Sequence, residues 1–230
     1  MIVGTIDARL LSSADFVRAG AVLADVGTDH GYLPIFLLKS GKITRAVLSD
    51  INEGPLASAR ANIEEAGLAD KCELVLTDGA GALAGRGITD YAICGMGGEL
   101  IAEIVDKAPE MKTPGVRLIL QPMSRQAHLR KFLYENGFSI LEERYSTADG
   151  KSYLCILAEY SATPRELSEE EYELGADAPH VIDKEDYLRF LRKKYDSVSR
   201  VIEGKALGKD NADSERRLRD IIKDRIDRIW

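Results

Sequence analysis

The fold of this chain is decided by the stretch Val22-Leu23-Ala24-Asp25-Val26-Gly27-Thr28-Asp29-His30-Gly31-Tyr32-Leu33-Pro34. An apolar run ends beside an acid, and two glycines then separate it from a helix-like segment. Glycines at a strand-to-helix turn let a ligand approach the backbone and leave the first helical N–H groups open. The turn matches neither G-x-G-x-x-G nor G-x-x-x-x-G-K-[ST], so a pyrophosphate ligand is disfavoured. The stretch predicts a binding turn in an α/β fold.

Apolar runs and helical stretches alternate through the first 160 residues. Strands are expected at Ala21–Val26, Ala46–Ser49, Glu73–Leu76, Tyr91–Cys94 and Val116–Gln121, and helices at Tyr32–Ser40, Pro55–Ala66, Glu99–Lys107 and Arg125–Asn136. Two later runs, Phe138–Tyr145 and Ser152–Tyr160, flank an Asp-Gly turn signal and predict an antiparallel hairpin. Together these elements predict a doubly wound, mostly parallel sheet with an antiparallel edge.

The C-terminal part of the chain has a different pattern. A polar run from Ser161 to Ser168 ends the strands, which places a boundary near residue 160, between a domain of residues 1–160 and a helical domain of residues 161–230. Two apolar sets then follow coiled-coil spacing, Leu188, Leu191, Tyr195, Val198 and Ile202 and, after a Gly204–Asp213 loop, Leu218, Ile222, Ile226 and Ile229. The pattern predicts a helical hairpin, either a structural arm, a dimer contact or a binding surface.

Composition excludes several classes of protein. The 230 residues are 45% hydrophobic and 30% charged, which is typical of a globular chain, and no apolar run approaches the length of a membrane span. The three cysteines form no C-x-x-C pair, so neither a zinc site nor a disulfide framework is expected. The net charge is −7, divided into −11 over residues 1–183 and +4 over residues 184–230. With no secretory signal apparent, a cytoplasmic protein is expected.

Acidic residues lie at the ends of three successive predicted strands: Asp25, Asp50 and Asp78. Such acids repel a polyphosphate but suit a cationic or zwitterionic ligand, and S-adenosylmethionine, a sulfonium with an α-amino group, has that chemistry. Asp50 is placed to accept both ribose hydroxyls, and Asp78 to accept from an adenine amino group. Two structural alternatives stay open: a simple tight turn with an N-cap Asp, and Asp50 as an N-cap with Glu53 at N3.

Further candidates lie at the same predicted edge of the sheet. The glycines of Gly95-Met96-Gly97-Gly98 indicate backbone close to a large flat ligand, or a sharp turn. Gln121 ends the fifth strand, where its amide suits a base edge, although a polar strand terminus explains it as well. His30 lies in the binding turn and His128 is expected at the surface. No histidine has the partners of a catalytic triad or a metal site.

Six motifs follow one another along the chain: the run from Ala24 to Pro34, Asp50-Ile51-Asn52-Glu53-Gly54-Pro55-Leu56, Asp78-Gly79, Gly95-Met96-Gly97-Gly98, Leu118-Ile119-Leu120-Gln121-Pro122 and Lys151-Ser152-Tyr153. Their order and sequence resemble those of the bacterial tRNA (adenine-22 N1)-methyltransferase family. The resemblance covers residues 8–160, and the helical tail matches in type only. It implies a class I methyltransferase fold, with a mostly parallel sheet, an antiparallel C-terminal hairpin and a C-terminal coiled-coil hairpin.

The resemblance also implies a role for each matching position. The residues implied for the cofactor are Asp25, Gly27, Thr28, Asp29, His30 and Gly31 in the binding turn, Asp50 with Ile51 and Asn52 at the ribose, Asp78 and Gly79 at the adenine, and Gly95 and Met96 at the methionine part. Arg9, in a segment that resembles the family's N-terminal helix, is the candidate for the cofactor carboxylate. The candidate catalytic and base-pocket residues are Asp29, Gly95, Met96, Gly97 and Gln121.

The implied reaction transfers a methyl group from S-adenosylmethionine to N1 of adenine 22 in the D-arm of tRNA and leaves S-adenosylhomocysteine. The predicted partner is tRNA, with the basic faces of the tail available for its phosphates. Neither a metal nor a membrane is expected, and a monomer is favoured. The competing hypotheses are a methyltransferase for another RNA base or a small molecule, and a cofactor-binding regulatory protein without catalysis.

Overall fold

The computed structural model describes residues 6–175, 184–208 and 210–229. The strands are β1 (Ala21–Val26), β2 (Ile43–Asp50), β3 (Cys72–Leu76), β4 (Asp90–Gly97), β5 (Arg117–Ser124), β6 (Phe138–Ala148) and β7 (Lys151–Tyr160). The α-helices are α1 (Ala8–Phe16), α2 (Tyr32–Lys39), α3 (Glu53–Glu65), α4 (Gly98–Asp106), α5 (Gln126–Glu135), α6 (Glu169–Leu174), α7 (Lys184–Gly208) and α8 (Asp213–Ile229). All the strands that the sequence predicts are present.

The strands form one mixed sheet in the order β3-β2-β1-β4-β5-β7-β6. The first five are parallel, and β7 pairs antiparallel with both β5 and β6. This arrangement confirms the predicted doubly wound sheet and its antiparallel edge. The strand order reverses between β1 and β4, and ligands of open α/β sheets bind beside the carboxyl ends of strands at such a switch point.

Successive side chains of β1 lie on opposite faces of the sheet and pack into two separate layers of the apolar core. Leu23 packs with residues of α1, α2 and α3 on one face of the sheet. Ala24 and Val26 pack on the other face, with residues of α4 and α5. A strand buried on both faces has little choice of register, so the end of β1 is held in place at the switch point.

The hairpin between β6 and β7 turns through Asp149 and Gly150. Both residues have positive φ, 48° and 69°, as a two-residue turn between twisted strands requires. The strands pair from Ala148 with Lys151 back to Phe138 with Tyr160. The turn predicted from the Asp-Gly signal is confirmed.

The tail differs from its prediction at two places. The expected loop from Gly204 is wrong at its start, because α7 continues to Gly208. The Nζ atom of Lys205 lies 2.7 Å from Glu215 Oε1 on α8, so packing between α7 and α8 offsets the cost of a helical glycine. The polar segment after residue 160 also contains α6, which begins with a capping box of Ser168 and Glu171.

The tail shares the apolar core of the sheet. Tyr187 and Leu191 of α7 and Ile222 of α8 belong to the same buried cluster as Tyr145 of β6. The helical hairpin is therefore packed against the sheet over a continuous apolar contact. The division into domains at residue 160 stays a prediction.

Candidate active site

Acidic side chains from neighbouring strands converge at the carboxyl edge of the sheet. Asp25 lies near the end of β1, Asp50 ends β2 and Asp78 follows β3. Because β1, β2 and β3 are adjacent and parallel, their carboxyl ends open on the same crevice. The three acids line two adjoining cavities there.

The two cavities meet at Gly27 and Met96. The first encloses about 370 Å³ and is lined by Asp7, Arg9, Leu10, Asp25, Gly27, Thr28, Asp29, His30, Gly31, Tyr32, Leu33, Cys94, Gly95 and Met96. The second encloses about 180 Å³ and is lined by Val26, Gly27, Ser49, Asp50, Ile51, Thr77, Asp78, Gly79, Met96, Leu100 and Ile104. Since two residues border both spaces, the cavities are halves of one elongated site.

The turn between β1 and α2 requires both of its glycines. Gly27 and Gly31 have positive φ, 75° and 69°, and a Cβ atom on Gly27 would lie 1.8 Å from Met96 Cε. Gly31 is the N-cap residue of α2, and no side chain caps this helix. The alternative of an N-cap Asp in this turn is therefore wrong. The first N–H groups of α2 lack intrahelical partners and border the first cavity.

Asp25 is the buried acid of the site. Its side chain is 8% exposed and accepts a 2.7 Å hydrogen bond from Thr28 Oγ1. Burial raises the pKa of Asp25 to about 6, and the nearby Asp50 carboxylate adds to the rise, whereas the Thr28 bond opposes it. The ionised Asp25 carboxylate therefore destabilises the folded chain near neutral pH, and a cationic group in the first cavity would reduce this destabilisation.

We expect Asp25→Asn to change how stability depends on pH. The raised pKa means that the wild type loses stability as the pH rises from the unfolded value of 3.8 to about 6. The difference in the free energy of unfolding, variant minus wild type, should therefore increase by about 3 kcal/mol from pH 3.5 to pH 7. Urea denaturation at several pH values measures this difference. Asp29→Asn, which removes an exposed carboxyl of the same turn, is the control. Parallel curves for wild type and Asp25→Asn would contradict the expectation.

Asp50 forms a local turn as well as lining the second cavity. Its Oδ1 accepts a 2.8 Å hydrogen bond from the backbone N–H of Asn52. Asn52 is the N-cap residue of α3 and Glu53 is the first helical residue, so the alternative with Asp50 as N-cap and Glu53 at N3 is wrong. One carboxylate oxygen serves the turn, and the carboxylate retains acceptor capacity for a ligand.

The second cavity also contains an unpaired polar atom. Ser49 is 1% exposed, and its Oγ has no hydrogen-bond partner among the described residues. Asp78 and Gly79 lie at the far end of this cavity, and Gly79 has a φ of 72°. Ribose hydroxyls and an adenine amino group would donate hydrogen bonds to Asp50 and Asp78. A ligand hydroxyl would also give Ser49 Oγ the hydrogen-bond partner that it lacks. The residues present therefore fit the nucleoside part of S-adenosylmethionine.

Arg9 stands at the opposite end of the site. Its Nη1 donates to Gln121 Oε1 at 3.1 Å, and the backbone N–H of Gly95 donates to the same oxygen at 3.0 Å. Gln121 is fully buried, and its Nε2 lies 3.4 Å from Met123 Sδ. Gln121 lines neither cavity, so the structure uses it to position Arg9 and Gly95. The predicted contact of Gln121 with the target base stays a prediction.

The remaining candidates occupy different places. Asp29 is exposed beside the first cavity, 3.4 Å from Nε2 of His30, whose ring stacks on Tyr32. Gly97 ends β4 and lines neither cavity, and a Cβ atom there would lie 3.3 Å from Ser124 Oγ. Gly97 thus permits close packing of β4 against β5.

Most of the expected cofactor residues come together in the site. Those that line the two cavities are Arg9, Asp25, Gly27, Thr28, Asp29, His30, Gly31, Asp50, Ile51, Asp78, Gly79, Gly95 and Met96, whereas Asn52 does not. Sequence reasoning missed Ser49 and Cys94, which also line the site. Burial raises the pKa of the Cys94 thiol to about 12, so this thiol stays protonated at neutral pH. Their only sequence signal is a position near a strand end.

Comparison with known proteins agrees with this geometry. A family described as a methyltransferase domain matches residues 6–156. The tRNA (adenine(22)-N(1))-methyltransferase of Bacillus subtilis is 35% identical over 151 residues, which are 66% of this chain and 63% of that enzyme. The alignment thus spans less than two thirds of the Bacillus enzyme.

Solved structures extend the similarity to nearly the whole chain. A putative tRNA (m1A22) methyltransferase of Streptococcus pneumoniae is 33% identical with a TM-score of 0.77, and the alignment covers 98% of each chain. The structure of the same protein in complex with S-adenosyl-L-methionine is 31% identical with a TM-score of 0.82, and the alignment covers 96% of this chain and all of that one.

The fold and its site define a class I methyltransferase, which is an enzyme that uses S-adenosylmethionine. Within that class, the chain belongs to the tRNA (adenine-22 N1)-methyltransferase family. None of the helices in residues 6–175, 184–208 and 210–229 has the length and apolar composition of a membrane span. The same residues contain no group of three or more side chains arranged to hold a metal ion.

Proposed function

We propose that this protein transfers a methyl group from S-adenosylmethionine to N1 of adenine 22 in the D-arm of bacterial tRNA. The observation that carries the proposal is the elongated site at the switch point, with carboxylates from adjacent strands at one end and Arg9 at the other. The Bacillus subtilis relative is named for this reaction. The proposal places the enzyme in the cytoplasm, where its tRNA substrate is found.

The charges of the site match the parts of the cofactor. Arg9 would hold the methionine carboxylate, and Asp25 would face the cationic groups beside it. Asp50 would accept from the ribose hydroxyls, and Asp78 with Gly79 would hold the adenine. When bound, S-adenosylmethionine supplies an electrophilic methyl group on a positively charged sulfur.

The chemical demands on the protein are modest. N1 of neutral adenine carries a lone pair, so no residue has to remove a proton before the transfer. The main tasks of the chain are to align donor and acceptor and to tolerate a cationic product. Asp29 is exposed beside the first cavity and is our candidate for that electrostatic help. Because N1 lies on the pairing edge, the adenine has to leave its stack, at a cost of a few kcal/mol.

Gln121→Ala tests whether this residue acts through Arg9. Losing the acceptor that Arg9 and Gly95 share should raise the KM for S-adenosylmethionine about tenfold and leave the KM for tRNA nearly unchanged. Steady-state kinetics with each substrate varied in turn measures the two effects, and thermal unfolding reports any loss of fold. A raised KM for tRNA with a normal KM for the cofactor would instead support the predicted contact with the base.

The proposed function is tested by incubating the protein with labelled S-adenosylmethionine and unmodified bacterial tRNA. Digestion to nucleosides should yield labelled 1-methyladenosine. Transcripts in which guanine replaces adenine 22 are the control and should remain unlabelled. Absence of 1-methyladenosine across several tRNAs would sink the proposal, and label in a different nucleoside would move the enzyme to another RNA base.

A further inference from the structure

A third large cavity lies between the turn of the β6–β7 hairpin and α7. It encloses about 550 Å³, and its lining residues include Lys151, Ser152, Lys193, Lys194, Asp196 and Arg200. We call this space the basic cavity. It borders none of the residues assigned to the cofactor, so it is separate from the two cavities of the active site.

Three exposed cations give the basic cavity its charge: Lys151, Lys193 and Arg200. Within the described ranges, none of them has a carboxylate at ion-pair distance. Lys193 donates to the backbone carbonyl of Gly150, and Arg200 Nε donates to the carbonyl of Asp196. Both side chains retain further N–H donors, which can bond to the anionic oxygens of a ligand.

The fourth cation, Lys194, has a different environment. Its Nζ lies 2.7 Å from Glu173 Oε2 and also donates to the Glu173 carbonyl. Burial lowers the pKa of this ammonium group. Lys194 therefore holds α7 to the segment before it. Asp196 is the acid among the lining residues, so the three exposed cations leave the cavity with a positive balance.

The basic cavity opens at the same edge of the sheet as the active site. β7 runs antiparallel to β5, with Leu120 opposite Ile156, so the hairpin turn lies beyond the carboxyl end of β5. Ser152 lines the basic cavity, whereas the next residue, Tyr153, is on the other face of β7. The guanidinium carbon of Arg9 lies 6.0 Å from the centre of the Tyr153 ring. The hairpin tip thus stands between the two sites.

We propose that the basic cavity binds backbone phosphates of the tRNA strand that flanks the target adenine. The inference rests on the proposed function, because an adenine held in the active site brings its neighbouring phosphates to this edge of the sheet. Lysine and arginine side chains contact phosphates without reading sequence, so the cavity would set the position of the strand. A strand that crosses the hairpin tip would reach both sites.

The test replaces the three cations together, as Lys151→Gln, Lys193→Gln and Arg200→Gln, and compares tRNA binding at several salt concentrations. The Kd for tRNA should rise about tenfold or more, and the slope of log Kd against log salt should fall by about one for each lost contact. The Kd for S-adenosylmethionine should not change. Lys223→Gln, at an exposed lysine of α8 outside the cavity, is the matched control.

A second variant protects the test against loss of fold. Lys193 bonds to the hairpin turn, so the single variant Lys151→Gln is measured as well, and thermal unfolding is recorded for each protein. Wild-type affinity and salt slope in the triple variant would overturn the inference, as would an equal loss in Lys223→Gln. If the wild type itself neither binds nor methylates tRNA, the proposed function fails. If the wild type methylates tRNA and the triple variant binds tRNA normally, the proposed function stands and the phosphate-binding role of the basic cavity is refuted.

Discussion

Asp50→Ala is expected to weaken the binding of S-adenosylmethionine by about 100-fold or more. Asp50 ends β2 at the second cavity, where its carboxylate would accept from both ribose hydroxyls of S-adenosylmethionine. Hydrogen bonds to a charged acceptor contribute about 1.5–3 kcal/mol each, and the alanine variant loses both. Isothermal titration calorimetry with S-adenosylmethionine measures the loss directly.

Two further variants separate ligand binding from the local turn. Asp50→Asn retains an oxygen for the backbone N–H of Asn52 but lacks the charge, so it should fall between wild type and alanine in affinity. Asp70→Ala removes an exposed acid outside the cavities and should bind like the wild type. An unchanged affinity in Asp50→Ala, with only a lower melting temperature, would show that Asp50 stabilises the local turn and does not bind the cofactor.

Arg130→Ala is expected to lower the free energy of unfolding by about 3–5 kcal/mol. Arg130 is fully buried, and its Nε lies 2.6 Å from Glu143 Oε1. Its other nitrogens donate to the Tyr145 hydroxyl and to the Tyr172 carbonyl, both at 3.0 Å. Removing the guanidinium leaves the Glu143 carboxylate buried without its cation, which is the costly half of a broken ion pair. Urea denaturation followed by circular dichroism measures the change.

The double variant Arg130→Met with Glu143→Met shows whether the cost comes from the unpaired charge. If it does, the double variant should recover part of the stability that either single variant loses. Lys131→Met is the control, because this exposed neighbour pairs with Glu135 at 3.8 Å, and losing such a surface pair should cost under about 1 kcal/mol. Equal losses in Arg130→Ala and Lys131→Met would contradict the expected effect.

The elements of the sheet could be read from the sequence because their signals are local. β1 has the predicted bounds, since it is an apolar run with a glycine on each side, Gly20 before it and Gly27 after it. The hairpin turn followed from Asp149-Gly150 in the same way. The extension of α7 to Gly208 could not be read, because packing against α8 outweighs the local preference of glycine. The helix α6 does have a local signal, the capping box of Ser168 and Glu171.

The site likewise contains features with a local sequence signal and features that depend on residues far apart in the chain. Asp25, Asp50 and Asp78 could be grouped from the sequence because each comes at or just after the end of a strand, and adjacent parallel strands end at one edge. The bond between Arg9 and Gln121 joins residues 112 positions apart, so no local pattern indicates it. Amphipathic patterns also assign charged residues to the surface, which conceals a buried ion pair such as that of Arg130.

The most direct test of the central claim is primer extension on unmodified bacterial tRNA after incubation with the protein and S-adenosylmethionine. A methyl group on N1 blocks base pairing, so reverse transcriptase should stop at adenine 22 in the treated tRNA and read through in the untreated tRNA. With Asp50→Ala at limiting cofactor, the stop should be much weaker. Read-through at adenine 22 with active wild-type protein, or a stop at another position, would contradict the account.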